Sequence, residues 1–279
     1  MLIGGIADAY GAGFEFAPET VIVLENNLKQ YRAHPKYTCI HRKYTDDTQM
    51  AIAITELVLN EENWTDISIA NKFVEVFKRD PRRGYSSRFY TILSEVKTGR
   101  ELIESLTLKS NRNGAAMRSY PIGVYQEETL VMKKTMQQAK ITHDTKEGIV
   151  SAQIIALAAH YFMYKKGEKK QLREYLEHML SLPFHFKRES TLKMEAIPTV
   201  TTVMALVLEY KSMSACVKEA VSLGGDTDTV ASLALSILSL CNDTINDLPA
   251  WMYLELENNS FGSDYLISLD KQLLNTIKL

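Results

Sequence analysis

Apolar residues recur at intervals of three and four along most of this chain. Examples are Ala70, Phe73, Val74 and Phe77, then Ile149, Ala152, Ile155, Ala156 and Ala159, then Val200, Val203, Met204 and Val207. That spacing gathers them on one face of an α-helix, so each segment predicts an amphipathic helix that has to bury its stripe against others. The same period runs over 49–59, 129–139, 172–180, 230–240 and 265–277. Strand-type alternation is almost absent, and 21–24 is the one segment read as a short strand. The expected fold class is therefore all-α, a compact multi-helix assembly.

Asp66 before Ile67 and Thr145 ahead of Ile149 read as helix starts, while Pro121, Pro183, Pro198 and Pro249 read as breaks between helices. No Ser-, Gly- or Pro-rich linker and no repeat period divides the 279 residues, so one domain over 1–279 is expected. With 46% hydrophobic and 24% charged residues the composition is that of a soluble globular chain, which excludes disorder and collagen-like structure. Lys and Arg number 32 against 34 Asp and Glu, a net charge of -2. Such a balance offers no extended surface for nucleic acid, and any nucleotide contact has to be local.

Cys39, Cys216 and Cys241 lie far apart, without a CxxC pair, which argues against a disulfide framework or a thiolate zinc site and for a reducing, cytoplasmic setting. Neither a basic leader nor a run of 18 apolar residues is present, so no signal peptide and no membrane partner is expected.

Chemistry gathers in two places. Tyr44-Thr45-Asp46-Asp47-Thr48-Gln49 sets two carboxylates between hydroxyls at the start of a periodic helix, where capping of free backbone N–H groups explains them equally well. Leu223-Gly224-Gly225-Asp226-Thr227-Asp228-Thr229 is harder to explain as a cap. A cap needs one oxygen, whereas two carboxylates at i and i+2 and a hydroxyl at i+3 follow a glycine pair that permits a sharp turn. If the two motifs meet, four carboxylates share a small volume, and each like-charged pair at about 4 Å costs roughly 1 kcal/mol even in water. Hard oxygen donors without Cys or His select Mg2+, with Mn2+ or Ca2+ as alternatives, and two ions about 3.5 to 4 Å apart fit such a set. Spacing alone does not establish that motifs 180 residues apart converge.

Four stretches in order, 6–15 (Ile-Ala-Asp-Ala-Tyr-Gly-Ala-Gly-Phe-Glu), Thr45-Asp46-Asp47-Thr48, Asn113-Gly114-Ala115-Ala116-Met117-Arg118 and Gly224-Gly225-Asp226-Thr227-Asp228-Thr229, resemble the ADP-ribosylglycohydrolase family. The resemblance spans 3 to about 240, and its specificity lies in the combination of the two aspartate motifs. It implies an all-helical fold with two Mg2+ ions in a cleft, Mn2+ being a possible substitute. The implied reaction is hydrolysis at C1 of the distal ribose, releasing ADP-ribose from a modified protein or small-molecule acceptor. Carried over residue by residue, Thr45, Asp46, Asp47, Asp226, Asp228 and Thr229 are metal ligands. Glu15 and Asp47 are the catalytic carboxylates, Glu15 acting by proton transfer or by gating metal access. Asn111, Asn113, Gly114 and His143 are substrate-binding.

Arg82-Arg83-Gly84-Tyr85 also resembles a loop beside the family's cleft, with Tyr85 either stacking on a ligand or packing. Two departures stand out: Ala7 replaces the usual Gly before Asp8, and Arg112 replaces the Gly that commonly precedes Asn-Gly. The second adds bulk and positive charge, which either strengthens anion binding or narrows the loop.

An inactive, crystallin-like or ADP-ribose-binding member of the same fold is the alternative, and retention of every implied ligand argues against it. A metal-dependent nucleotide phosphohydrolase on another helical fold is a third reading. It lacks the expected histidine ligands, since no HExxH is present and the one His-Asp doublet, His143-Asp144, lies in the segment given a ligand-binding part. Neither a GxSxG elbow nor a P-loop occurs.

Overall fold

Helices α1 (Leu2–Ala12) and α12 (Thr227–Leu238) run antiparallel at a spacing set by glycine: a Cβ on Gly4 would fall 2.3 Å from Ser236 Oγ, and one on Gly11 2.6 Å from Asp228 Cα. Positions 4 and 11 are two turns apart and share a face, so this small-residue stripe lets the backbones touch. Thr227 Oγ1 donates to Gly11 O at 2.8 Å and locks the crossing where α12 begins.

The computed structural model describes residues 1–60, 64–107 and 109–277. Between these two helices in sequence come α2 (Glu19–Glu25), α3 (Asp46–Leu59), α4 (Asp66–Arg79), α5 (Ser87–Glu95), α6 (Gly99–Ser105), α7 (Glu128–Lys140), α8 (Lys146–Met163), α9 (Leu172–Leu180), α10 (Ala196–Glu209) and α11 (Met213–Ser222). After α12 follow α13 (Ala250–Glu255) and α14 (Ser263–Thr276). No sheet forms among the described residues. Of four isolated bridges, Lys109–His143, Arg112–Glu195 and Leu192–Gly225 pin loops that line the cleft described below. No helix among them is long and apolar enough to cross a membrane.

The core is assembled around α12, every residue of which is buried, with α1, α8, α10 and α11 packed against it. The three-and-four period of 230–240 predicts a one-sided stripe. Instead the helix is enclosed, because Ala231, Ala234, Ser232 and Ser236 leave room for neighbours on the remaining faces. The amphipathic reading holds for α4, whose Phe73 and Phe77 are 0% and 2% exposed and each contribute about 1.5–3 kcal/mol by burial.

Three local expectations are corrected. Residues 21–24 lie in α2, not in a strand. Of them only Ile22 is buried, while Val23 and Leu24 are exposed, and the segment satisfies its backbone bonds within the helix, Asn26 N donating to Ile22 O. Pro198 does not end a helix. It sits in the first turn of α10, where its missing N–H costs nothing. The cap of α4 is Thr65, in a capping box with Ser68, and Asp66 is the first helical residue. Thr145 caps α8 as expected, its Oγ1 accepting from Gly148 N at 3.1 Å.

Candidate functional site

The N-termini of α3 and α12 open onto one cleft of about 380 Å³, lined by Asp46 and Asp47 from the first and by Asp226, Asp228 and Thr229 from the second. The turn before α12 has its shape because Gly224 and Gly225 adopt φ of +66° and +76°, a left-handed backbone that side chains disfavour. It is held from both sides: Phe16 N donates to Gly225 O at 2.8 Å and Asp226 N to Leu192 O at 3.3 Å. The first of these bonds brings Glu15, just past the end of α1, to the same place. Candidate ligand oxygens of Glu15, Asp226 and Asp228 lie within 4.8 Å of one another.

This crowding shows in the acidities. Burial, and after it the surrounding carboxylates, push Asp46, Asp47 and Asp228 well above the usual carboxylate range. Burial carries Asp226 up to about 7, against the pull of the hydrogen bond from Asn113 Nδ2, which reaches Asp226 Oδ2 at 2.6 Å. A divalent cation fits the need. Asp47 Oδ1 is buried with no hydrogen-bond partner among the described residues, and the donors are hard oxygens throughout. The cluster is thus able to hold a metal.

Thr45 is buried and caps α3 without lining the cleft. Its Oγ1 donates to Asp47 Oδ2 at 3.4 Å, so it acts on the neighbouring carboxylate. Thr229 Oγ1 donates to Asp226 Oδ1 at 3.3 Å. Asn113, Gly114 and His143 also line the cleft, with Arg112 and Arg118. The Asn113 side chain is already engaged, tying its turn to Asp226 and to Thr199 Oγ1 at 3.1 Å. Asn111 does not reach the cleft; it is exposed, and its carbonyl accepts from Ala196 N at 2.9 Å. Tyr85 packs edge-on against Phe77 and donates to Gln49 Oε1 at 2.7 Å while also lining the cleft. Arg82 is buried away from it, 3.5 Å above the Tyr44 ring and hydrogen-bonded to Tyr44 O at 2.9 Å.

Three contributors are missed by sequence reasoning. Asp8, the one charged residue among the first fourteen, projects from α1 into the start of α3. It accepts from Thr45 N at 2.9 Å, from Thr48 N at 3.1 Å and from Thr48 Oγ1 at 2.6 Å. A lone carboxylate in an apolar helix is the signal that marks it. Burial raises it to about 6, those hydrogen bonds opposing. His34 Nδ1 accepts from Lys36 N at 2.9 Å and Tyr37 N at 3.1 Å, so its Nε2–H donates to Glu15 Oε2 at 2.5 Å and orients that carboxylate. Nothing in the sequence around His34 announces this. Arg118, 1% exposed, is held by neutral acceptors on Gln138 and Thr142 and adds a positive charge to the cleft lining.

The raised pKa of Asp226 gives a pH prediction for the protein without divalent cation. Between the ordinary value of 3.8 and about 7, the folded chain holds a proton at Asp226 that the unfolded chain releases. Its contribution to stability is therefore complete below 3.8 and is lost as pH rises through about 7. Asp226→Asn, which cannot titrate, should accordingly gain melting temperature relative to the parent across that window. A difference that stays flat with pH would contradict the assignment.

A family model described as ADP-ribosylglycohydrolase matches residues 1–278. Human ADP-ribosylhydrolase ARH3 is 26% identical over an alignment covering 70% of this chain and 69% of that protein. The ADP-ribosyl-dinitrogen reductase glycohydrolase of Rhodospirillum rubrum is 25% identical, covering 88% and 85%. The ADP-ribosylarginine hydrolase Tri1 of Pseudomonas putida is 19% identical, covering 88% and 70%. Among solved structures, an ADP-ribosylglycohydrolase-related protein complex superposes with a TM-score of 0.77 at 18% identity, over 99% of this chain and 96% of that one, a likeness of fold.

Proposed function

Since the chain belongs to the ADP-ribosylglycohydrolase family, we propose that it hydrolyses the glycosidic bond at C1 of the distal ribose of ADP-ribosyl groups, releasing ADP-ribose from a modified protein or small-molecule acceptor. The observation that carries this reading is the meeting of Glu15, Asp226 and Asp228 within 4.8 Å, in the cleft that Asp46 and Asp47 also line. One domain over 1–279 supplies the scaffold, as α14 packs on α1 and α3 rather than standing apart.

Asp46, Asp47, Asp226 and Asp228 would hold two Mg2+ ions, Mn2+ substituting, with Thr45 and Thr229 supporting through their hydroxyls and Glu15 beside the set. When bound, the ions supply Lewis-acid polarisation of ribose hydroxyls and water. The chain's own groups do the rest. Arg112 and Arg118 set positive charge on the wall where a diphosphate would lie, and Phe89, Ile92 and Leu106 offer apolar surface to a planar base. Loss of the acceptor gives the ribose C1 oxocarbenium character. Glu15, its Oε2 occupied by His34, uses Oε1 to take a proton from the attacking water, and that proton goes on to the departing acceptor atom as its bond to C1 breaks.

Binding is the first test. A Cβ on Gly114 would stand 2.8 Å from His143 Cε1, so Gly114→Val must displace the ring. We expect the parent to bind free ADP-ribose in calorimetry and Gly114→Val to bind about tenfold more weakly, the loss of roughly one hydrogen bond, with circular dichroism unchanged. No heat of binding from the parent would contradict the reading.

A further inference from the structure

His143 lines the cleft with one ring edge and turns the other to Thr142, its Nδ1 lying 2.7 Å from Thr142 Oγ1. Taken alone, either atom is able to donate. The hydrogen bonds behind Thr142 remove that choice. Gln138 Nε2 donates to Ala115 O at 3.0 Å, which fixes its Oε1 as the acceptor of Arg118 Nε at 2.6 Å. Arg118 Nη2 then donates to Gln138 O at 3.1 Å and to Thr142 Oγ1 at 2.7 Å. A guanidinium has donors only, so the Thr142 oxygen accepts, and its hydrogen is left to find an acceptor. His143 Nδ1 is the one within reach among the described residues.

We propose that Arg118 and Thr142 are positioning residues that hold His143 as its Nε2–H tautomer, so that the ring meets a ligand in the cleft as a hydrogen-bond donor. In the opposite tautomer Nδ1–H would donate to a hydroxyl already accepting from Arg118, and the hydroxyl hydrogen would be stranded at a residue only 7% exposed, which is costly. Burial, aided by the charges of Arg118 and Arg112, lowers the His143 pKa to about 3, so at neutral pH the ring carries one hydrogen to place. The Nε2 edge faces the Asn113–Ala115 turn, where a Cβ on Gly114 would come within 3.1 Å of it. The relay thus begins at the carbonyl of Ala115 and returns to the same turn. An oxygen-rich ligand, phosphate or ribose, is what such a donor suits; that it is ADP-ribose rests on the function proposed above.

Long-range 1H–15N spectra of histidine-labelled protein at neutral pH read the tautomer directly, with the His143 signals assigned by their loss in His143→Gln. The parent should show a bare Nδ1 and a protonated Nε2. Thr142→Val should mix the tautomers and weaken ADP-ribose binding about tenfold, and Thr142→Ser should restore both. Protonated Nδ1 in the parent overturns the proposal, and the parent spectrum decides this even if Thr142→Val fails to fold. An unmixed Nε2–H signal in a folded Thr142→Val overturns the part given to Thr142. The expected spectra in a protein that ignores ADP-ribose support the relay and count against the proposed substrate alone.

Discussion

Asp228→Ala is expected to abolish divalent-cation binding in the cleft while leaving the helices in place. Asp228 stands at the start of α12, buried within 4.8 Å of oxygens from Glu15 and Asp226. Removing it takes one donor from the cleft that the α3 aspartates also line. Substitutions merely adjacent to metal ligands typically cost about 10–100-fold in affinity, so loss of a ligand should cost at least about 100-fold. The α1–α12 crossing does not depend on the side chain, because Gly11 meets the backbone of Asp228 and Thr227 holds the Gly11 carbonyl. In the parent, Mg2+ or Mn2+ should raise the melting temperature, since a ligand bound only by the folded state stabilises it. In Asp228→Ala that rise should vanish, and likewise in Asp226→Ala. Titrations matching the parent's in both variants would refute the ligand assignment.

Glu15→Gln is expected to keep ADP-ribose binding within a few-fold and to lose about 10²- to 10⁴-fold in release of ADP-ribose, the range over which a positioned acid or base acts. The amide preserves shape, and its carbonyl still accepts from His34 Nε2–H, so the carboxamide stays where the carboxylate was. What disappears is the ability to take a proton. Release measured in single turnovers, under saturating Mg2+, separates this from weakened metal binding. Undiminished turnover would remove Glu15 from proton transfer and leave it the gating part.

Helices whose large apolar residues follow one stripe, such as α4 and α9, are legible in the sequence because each faces the core on one side and water on the other. α1 is not, since its packing relies on Gly4 and Gly11, and an absent side chain carries no periodic signal. α12 is legible as a helix but not as the enclosed one. The aspartate motifs are visible as ligand sets, yet their meeting depends on that glycine-permitted crossing and on Asp8 gripping the start of α3, contacts that bridge distant parts of the chain. The resemblance anticipates the meeting; periodicity does not. His34 is invisible for a different reason. Its role follows from two backbone N–H groups of its own loop turning Nδ1 inward, a local geometry that residue type does not encode.

Incubating the protein with a panel of arginine-linked, serine-linked and base-linked ADP-ribosyl substrates and O-acetyl-ADP-ribose, with Mg2+ or with chelator, and resolving the products shows whether the chain cuts at the distal ribose C1. Free ADP-ribose is expected from at least one substrate, produced with Mg2+ and lost on chelation. Release of AMP would place the cut at the diphosphate and contradict it. So would a protein that binds both Mg2+ and ADP-ribose yet releases ADP-ribose from none of them, the behaviour of a binding member of the fold.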